Sequence, residues 1–350
     1  MRFRSPRALT CIIGLAWLII LTSCGTSAVP LLWSAPTDID GSSGSVTNGG
    51  LVSVSCVSST FCMAVDRGGN ALSYNSKSWS PPTSIDPSGA LMSVSCVSSS
   101  FCMAVDYSGN ALNYNRTSWA TPTNIDGRTP LHAVSCVSSS FCMAVDWDGN
   151  ALKYNGTSWS LPTSADPGSA NTSGLDSTGG LVSVSCTSAS FCMAVDLDGN
   201  ALKYNGRSWS LPTSIDPRTG DTGGLVSVSC TSIAFCLAVD DNGNALSYNR
   251  VSWSSPDGID HNTSALTAVS CVSSSFCVAV EGDGHVFGMP VNALPYNALS
   301  YNGTSWSAPT DIDGSSGSVT NGGPVSVSCV SSTFCIAVDG DGNAIVGKRG

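Results

Sequence analysis

The chain is short of charge: Asp, Glu, Lys and Arg make up 11% of its 350 residues, the formal net charge is −10, and Glu281 is the single glutamate. Phosphate binding needs clustered Lys and Arg, and beyond Arg2, Arg4 and Arg7 at the N-terminus none is present, so nucleic acid is not an expected partner. Histidine is scarcer still. His132, His261 and His285 occupy no repeated position, which leaves no base for a repeated nucleophile and no partner for zinc-type cysteine sites. Beyond the N-terminus no segment is apolar enough to cross a bilayer, and nowhere does a helical period persist over about ten residues. Hydroxyl residues take the place of charge, and they read as the cover of the surface.

Arg2, Arg4 and Arg7 precede an apolar run from about Ala8 to Leu21 that is too short to span a membrane comfortably, the pattern of a secretory leader. The run ends in Leu21-Thr22-Ser23-Cys24, which resembles the lipobox of bacterial lipoproteins. That resemblance implies cleavage before Cys24, a diacylglycerol on its thiol, and an exported protein held on the outer side of the bacterial cell membrane. A plain cleaved signal peptide and an uncleaved anchor are the other readings. The expected organisation is residues 1–23 as leader, 24–31 as lipidated Cys and short tether, and 32–350 as one domain.

Of the sixteen cysteines, Cys11 lies in the leader and Cys24 at its end; the other fourteen form seven pairs with a spacing of six. They are Cys56 and Cys62, Cys96 and Cys102, Cys136 and Cys142, Cys186 and Cys192, Cys230 and Cys236, Cys271 and Cys277, and Cys329 and Cys335. In an oxidising compartment these read as local disulfides, each closing a loop that contributes roughly 2 kcal/mol on the chain-entropy model. A reduced pair of small buried residues is the alternative.

The first Cys of each pair advances by 40, 40, 50, 44, 41 and 58 residues, a period that suits a four-stranded propeller blade. Each unit is predicted to hold strand a (Leu181 to Cys186 in the fourth), strand b (Phe191 to Val195), strand c (Ala201 to Tyr204) and strand d around Trp209. Asn155-Gly156, Asn205-Gly206 and Asn302-Gly303 read as two-residue hairpin turns between c and d. Trp33, Trp79, Trp119, Trp159, Trp209, Trp253 and Trp306 mark strand d, yet Trp33 precedes every body Cys pair and no Trp follows the last. The final unit therefore borrows its outer strand from the residues around Trp33, a closure that resembles that of WD40-type propellers. The fold expected is all-β, a seven-bladed propeller of four-stranded antiparallel blades.

The Trp-to-Cys links vary from 17 to 27 residues, and variable loops on a rigid scaffold carry binding. Those links hold Asp38, Asp40, Asp86, Asp126, Asp166, Asp216, Asp260, Asp311 and Asp313. The b to c turns hold Asp66, Asp106, Asp146, Asp196, Asp240 and Asp339. Both series should meet on one acidic face. There, Asp-x-x-Gly-Asn either binds a hard cation such as Ca2+ or makes a tight turn. The motif loosely resembles the Asp-box turn of sialidase propellers, without that motif's first Ser/Thr and closely following aromatic. In the sixth unit Glu281 takes the Asp place and His285 the Asn place, and an extra segment runs from His285 through Asn297. Glu281, Asp283, His285 and Phe287 are candidates for a ligand-binding lip; harmless replication slippage is the other reading.

No catalytic residues, metal ligands or cofactor are assigned, because nearly all carboxylates repeat from unit to unit whereas an active site needs asymmetric chemistry. The expectation is a lipid-anchored, monomeric binding or scaffold propeller that recognises a protein or glycan through its acidic loop face. A secreted hydrolase or lyase using the sixth-blade insert and a purely structural envelope protein are the alternatives.

Overall fold

The computed structural model describes residues 31–41, 49–87, 89–167, 180–217, 224–260, 265–282, 296–312 and 323–349. Within them the chain forms seven antiparallel sheets. Blade 4 is representative: strand a is Leu181–Ser188, b is Phe191–Asp196, c is Asn200–Tyr204 and d is Thr213–Ser214.

Strand b is apolar without alternation because both of its faces are covered, each by a neighbouring blade. Side chains along a strand point alternately to opposite faces. Phe191, Met193 and Val195 therefore pack towards blade 5, while Cys192 and Ala194 pack towards blade 3. Seven such clusters occupy the seven seams between blades, including one where Phe334, Ile336 and Val338 of the last blade meet Leu51, Val54 and Leu72 of the first. The hydrophobic core is a circle of seams with no single centre.

All seven cysteine pairs are disulfides, joining residues directly opposite on strands a and b. The serines of strand a do not cover the surface as expected. Each blade gives a serine hydroxyl that accepts the N–H of the first disulfide cysteine in the next blade, as Ser135 does for Cys186 at 2.9 Å. The series runs unbroken from Cys56 to Cys329 and closes when Ser328 of the last blade accepts from Cys56 of the first at 2.9 Å.

The outer closure is as expected. Leu32–Trp33 and Thr37–Asp38 pair with the terminal strand Asn343–Lys348, with Trp33 opposite Gly347. In the other six blades that place holds a tyrosine packed at a tilt against the strand-d tryptophan, ring centroids 5.3–5.4 Å apart. Here the Trp33 ring lies over the glycine itself: a Cβ on Gly347 would sit 3.0 Å from it.

Strand d lies beyond the expected tryptophan. Trp209 makes an isolated bridge to Tyr204, and the ladder resumes at Thr213–Ser214 after Pro212. Proline cannot donate to a ladder, and on this outermost strand it also guards the edge. The c to d turn differs too. It spans four residues, with Asn205 N–H donating to Ser208 C=O and Asn205 Oδ1 accepting from the N–H of Arg207 and Ser208. Only its second residue needs positive φ: Gly156, Gly206 and Gly303 at 94–98°, but Ser76, Arg116 and Arg250 at 77–84° in the other blades.

Candidate functional site

The repeated Asp-x-x-Gly-Asn makes a turn. Asp196 Oδ1 accepts from Asn200 N–H at 2.8 Å and Oδ2 from Asn200 Nδ2 at 2.9 Å. Gly199 has φ +80°, and its carbonyl accepts the N–H of Ile215 and Asp216, so that strand d docks on the turn. A Cβ at Gly199 would lie 1.8 Å from the Asp216 carbonyl oxygen, which is why glycine stands there. Both oxygens of Asp196 thus accept from Asn200, the arrangement of a turn-capping carboxylate. Among the described residues, no three His, Cys, Asp or Glu side chains gather in a way that could hold a metal ion.

The two acidic series meet as expected, but inside the wall. The carboxylates of Asp146 and Asp196 are 0% exposed, and Asp66, Asp86, Asp106, Asp126, Asp166, Asp216, Asp240, Asp260 and Asp339 are buried as well. Across the described seams the Asp after strand d lies against the acid ending strand b of the next blade, as Asp126 and Asp146, Asp216 and Asp240, and Asp260 and Glu281 do. Burial is the largest cause of the raised pKa values that follow, with Asp126 pushed up to about 8 and Asp196 to about 6. Asp38 and Asp311 are exposed; Asp313 lies outside the described residues.

Glu281 does not stand on a rim. It is 1% exposed, and its Oε2 accepts from Asn297 Nδ2 at 2.8 Å. Asn297, not His285, fills the turn asparagine's role and begins strand c, Asn297–Tyr301. The other three expected lip residues, Asp283, His285 and Phe287, lie outside the described residues, as does Cys24.

What distinguishes one blade from another is the residue after the turn carboxylate. In chain order these are Arg67, Tyr107, Trp147, Leu197, Asp241, Gly282 and Gly340. The backbone anchors this position to the residues leading into strand a, as Tyr107 N–H does on Ala90 C=O at 2.9 Å and Trp147 N–H on Pro130 C=O at 3.1 Å. The side chains are consequently held at the mouth of the ring. In blades 1 to 3 they enclose, with Ala90, Met92, Pro130 and His132, a pocket of about 290 Å³. His132 packs against Trp147 with ring centroids 4.5 Å apart and planes tilted by 39°. Burial, helped by the Arg67 charge, pulls the His132 pKa down to about 4 and keeps its ring neutral at physiological pH. Tyr107 is 57% exposed and Arg67 stands exposed at the rim, the only Lys or Arg of the lining.

This pocket is apolar on its floor, aromatic on its wall and cationic on one edge, a combination that suits an apolar side chain beside a negative group. Sequence reasoning passed over it, because the residue after Asp was treated as turn filler. The signal was there to read in the change from Arg, Tyr and Trp to Leu, Asp and Gly along one repeat position.

No protein-family model matches the chain, and no curated protein matches its sequence. Solved structures do match in fold. "YCF48 bound to D1 peptide" aligns with a TM-score of 0.64 at 11% identity over 93% of this chain and 96% of that one. "YCF48 from Cyanidioschyzon merolae" aligns with a TM-score of 0.62 at 12% identity over 89% of this chain and 98% of that one. At such identities the likeness is one of architecture: the chain is a seven-bladed β-propeller similar in fold to YCF48.

Proposed function

We propose that the protein is an exported, lipid-anchored binding propeller that takes a segment of another protein in the mouth formed by blades 1 to 3. The observation that carries this reading is the gathering of Arg67, Tyr107, Trp147, His132 and Met92 on three consecutive blades, when the same positions elsewhere hold small or unrelated residues. Aromatic and Arg side chains over an apolar pocket are the usual makings of a binding hot spot. The segment places an aliphatic or aromatic side chain against Trp147 and Tyr107 and a carboxylate at Arg67. A peptide bound to the similarly folded YCF48 supports the choice of a protein segment over a glycan. The lipobox-like ending at Cys24 supports the anchor and the location outside the cell membrane.

A displayed peptide library panned on the mature protein tests this reading, with recovered peptides titrated by calorimetry. The proposal expects them to carry an apolar residue next to an acidic one and to lose about 30-fold in affinity on Trp147→Ala. Recovered peptides that bind wild type and variant equally well would refute it. Mass spectrometry of membrane-extracted protein should find diacylglycerol on Cys24; a soluble product with an unmodified thiol would remove the anchor.

A further inference from the structure

The seams between blades bury carboxyl groups in pairs, and two of those pairs are built with the same asymmetry. In the seam between blades 2 and 3, Asp146 is well supplied with donors. Its Oδ1 accepts from Asn150 N–H and its Oδ2 from Asn150 Nδ2 at 2.8 Å. Asp126, which faces it, has a buried Oδ2 with no hydrogen-bond partner. In the seam between blades 4 and 5, Asp240 accepts from Asn242 N–H at 3.0 Å, Asn244 N–H at 2.7 Å and Asn244 Nδ2. Its neighbour Asp216 again leaves a buried Oδ2 without a partner. Among the described residues, the other charged groups acting at these places are Asp148 on the first pair and Asp241 on the second, both negative. No cation is among them.

Two ionised carboxylates in hydrogen-bond contact would repel each other, and burial would deprive both of water. One proton removes the conflict: a neutral carboxyl donates to its ionised partner through a short charge-assisted bond, and the orphaned oxygen gains a role as donor. The donor-rich member of each pair, Asp146 or Asp240, is the natural carboxylate, and the donor-poor member, Asp126 or Asp216, the natural acid.

We propose that the pairs Asp126–Asp146 and Asp216–Asp240 are proton-binding sites, each holding one shared proton that joins a blade to the next and tightens the ring in mildly acidic surroundings. The raised pKa values agree, with the acid of the first pair at about 8 and that of the second at about 6. Groups whose folded pKa lies above the unfolded value contribute stability that is fully present below about pH 4 and is lost as pH rises through the folded pKa. The loss therefore spreads from about pH 4 to pH 8, and the two seams slacken in turn, the second before the first.

The test compares the thermal midpoints of the mature wild-type protein and the double variant Asp126→Asn, Asp216→Asn between pH 5 and pH 8. An amide keeps the shape and the donor of a protonated carboxyl and cannot lose it to base. The wild-type midpoint should fall by about 5 °C or more across this range. The double variant should fall by clearly less, keeping the slope that Asp196, Glu281 and Asp339 still supply, and melt above wild type at pH 8. In the same experiment the infrared spectrum of the wild type at pH 7 should show the carbonyl stretch of a protonated carboxyl, weakened in the variant. An unchanged pH slope, or no such band in the wild type, would overturn the proposal. So would a wild-type midpoint raised by Ca2+ at pH 8 and lowered by chelator, because the seams would then hold a cation in place of the proton.

Discussion

The mouth of blades 1 to 3 and the mouth of blades 4 to 7 are built on one repeated plan and differ most in the residue that follows the turn carboxylate. Outside blade 6, where Glu281 stands for Asp and Ile312 N–H docks on Tyr296 C=O, both are made by the same Asp-capped turn, held by the same docking of strand d on the turn glycine, and both stand on the same buried strand b. One half carries Arg67, Tyr107 and Trp147; the other carries Leu197, Asp241, Gly282 and Gly340. The comparison separates two kinds of position. Residues that touch the next blade are nearly invariant, because each seam must repeat to close a ring. The residue after the turn carboxylate meets the next blade through its backbone, as Trp147 does at Gly180, and it is its side chain that the chain is free to vary.

The comparison sharpens where the wall is broken. Leu202, fully buried in the seam between blades 3 and 4, should cost about 3 kcal/mol as Leu202→Ala in urea unfolding, since a dry cavity remains. Replacing Cys186 and Cys192 together by alanine should cost about 2 kcal/mol by the same measurement, through loss of the loop constraint in the unfolded chain. Neither change should weaken a peptide bound at blades 1 to 3; a matching loss of binding would show that wall and mouth are not separable. The smallest effect belongs to the outer turns. Arg250 sits at φ +80° where Gly206 sits at +94°, so Arg250→Gly should raise stability by about 0.5 kcal/mol by relieving a left-handed side chain. The reverse change, Gly206→Ala, should lower it, because its Cβ would press on Ser190 at 3.2 Å.

The ring was legible because its closure leaves a count behind: Trp33 comes before every paired cysteine of the body, and no Trp follows Cys335. Strand b was legible because burial on both faces leaves an unbroken apolar run. The readings that needed correction all depend on contacts across a seam or on one backbone angle. The serines of strand a looked like surface until the neighbouring blade's cysteine N–H was placed against them. The acidic residues looked like an exposed face, although Asp126 and Asp146 bury each other only when two blades meet. The c to d turn was misjudged because Asn-Gly suggests a two-residue hairpin, whereas the Tyr204 to Trp209 bridge encloses four residues. In blade 6 the doubled Asn-Ala-Leu hid which asparagine, Asn297, begins strand c.

The central claim is that one position per blade carries recognition while the rest carries the ring. Its most direct test exchanges one mouth for the other: Arg67→Leu, Tyr107→Asp and Trp147→Gly together, which copies the residues of blades 4, 5 and 7 onto blades 1 to 3. Melting and affinity for a peptide selected on the wild type are then measured on the same sample. A midpoint within about 3 °C of wild type together with a fall in affinity of about 100-fold or more is the predicted result. Retained affinity, or a loss of affinity accompanied by collapse of the fold, would contradict it.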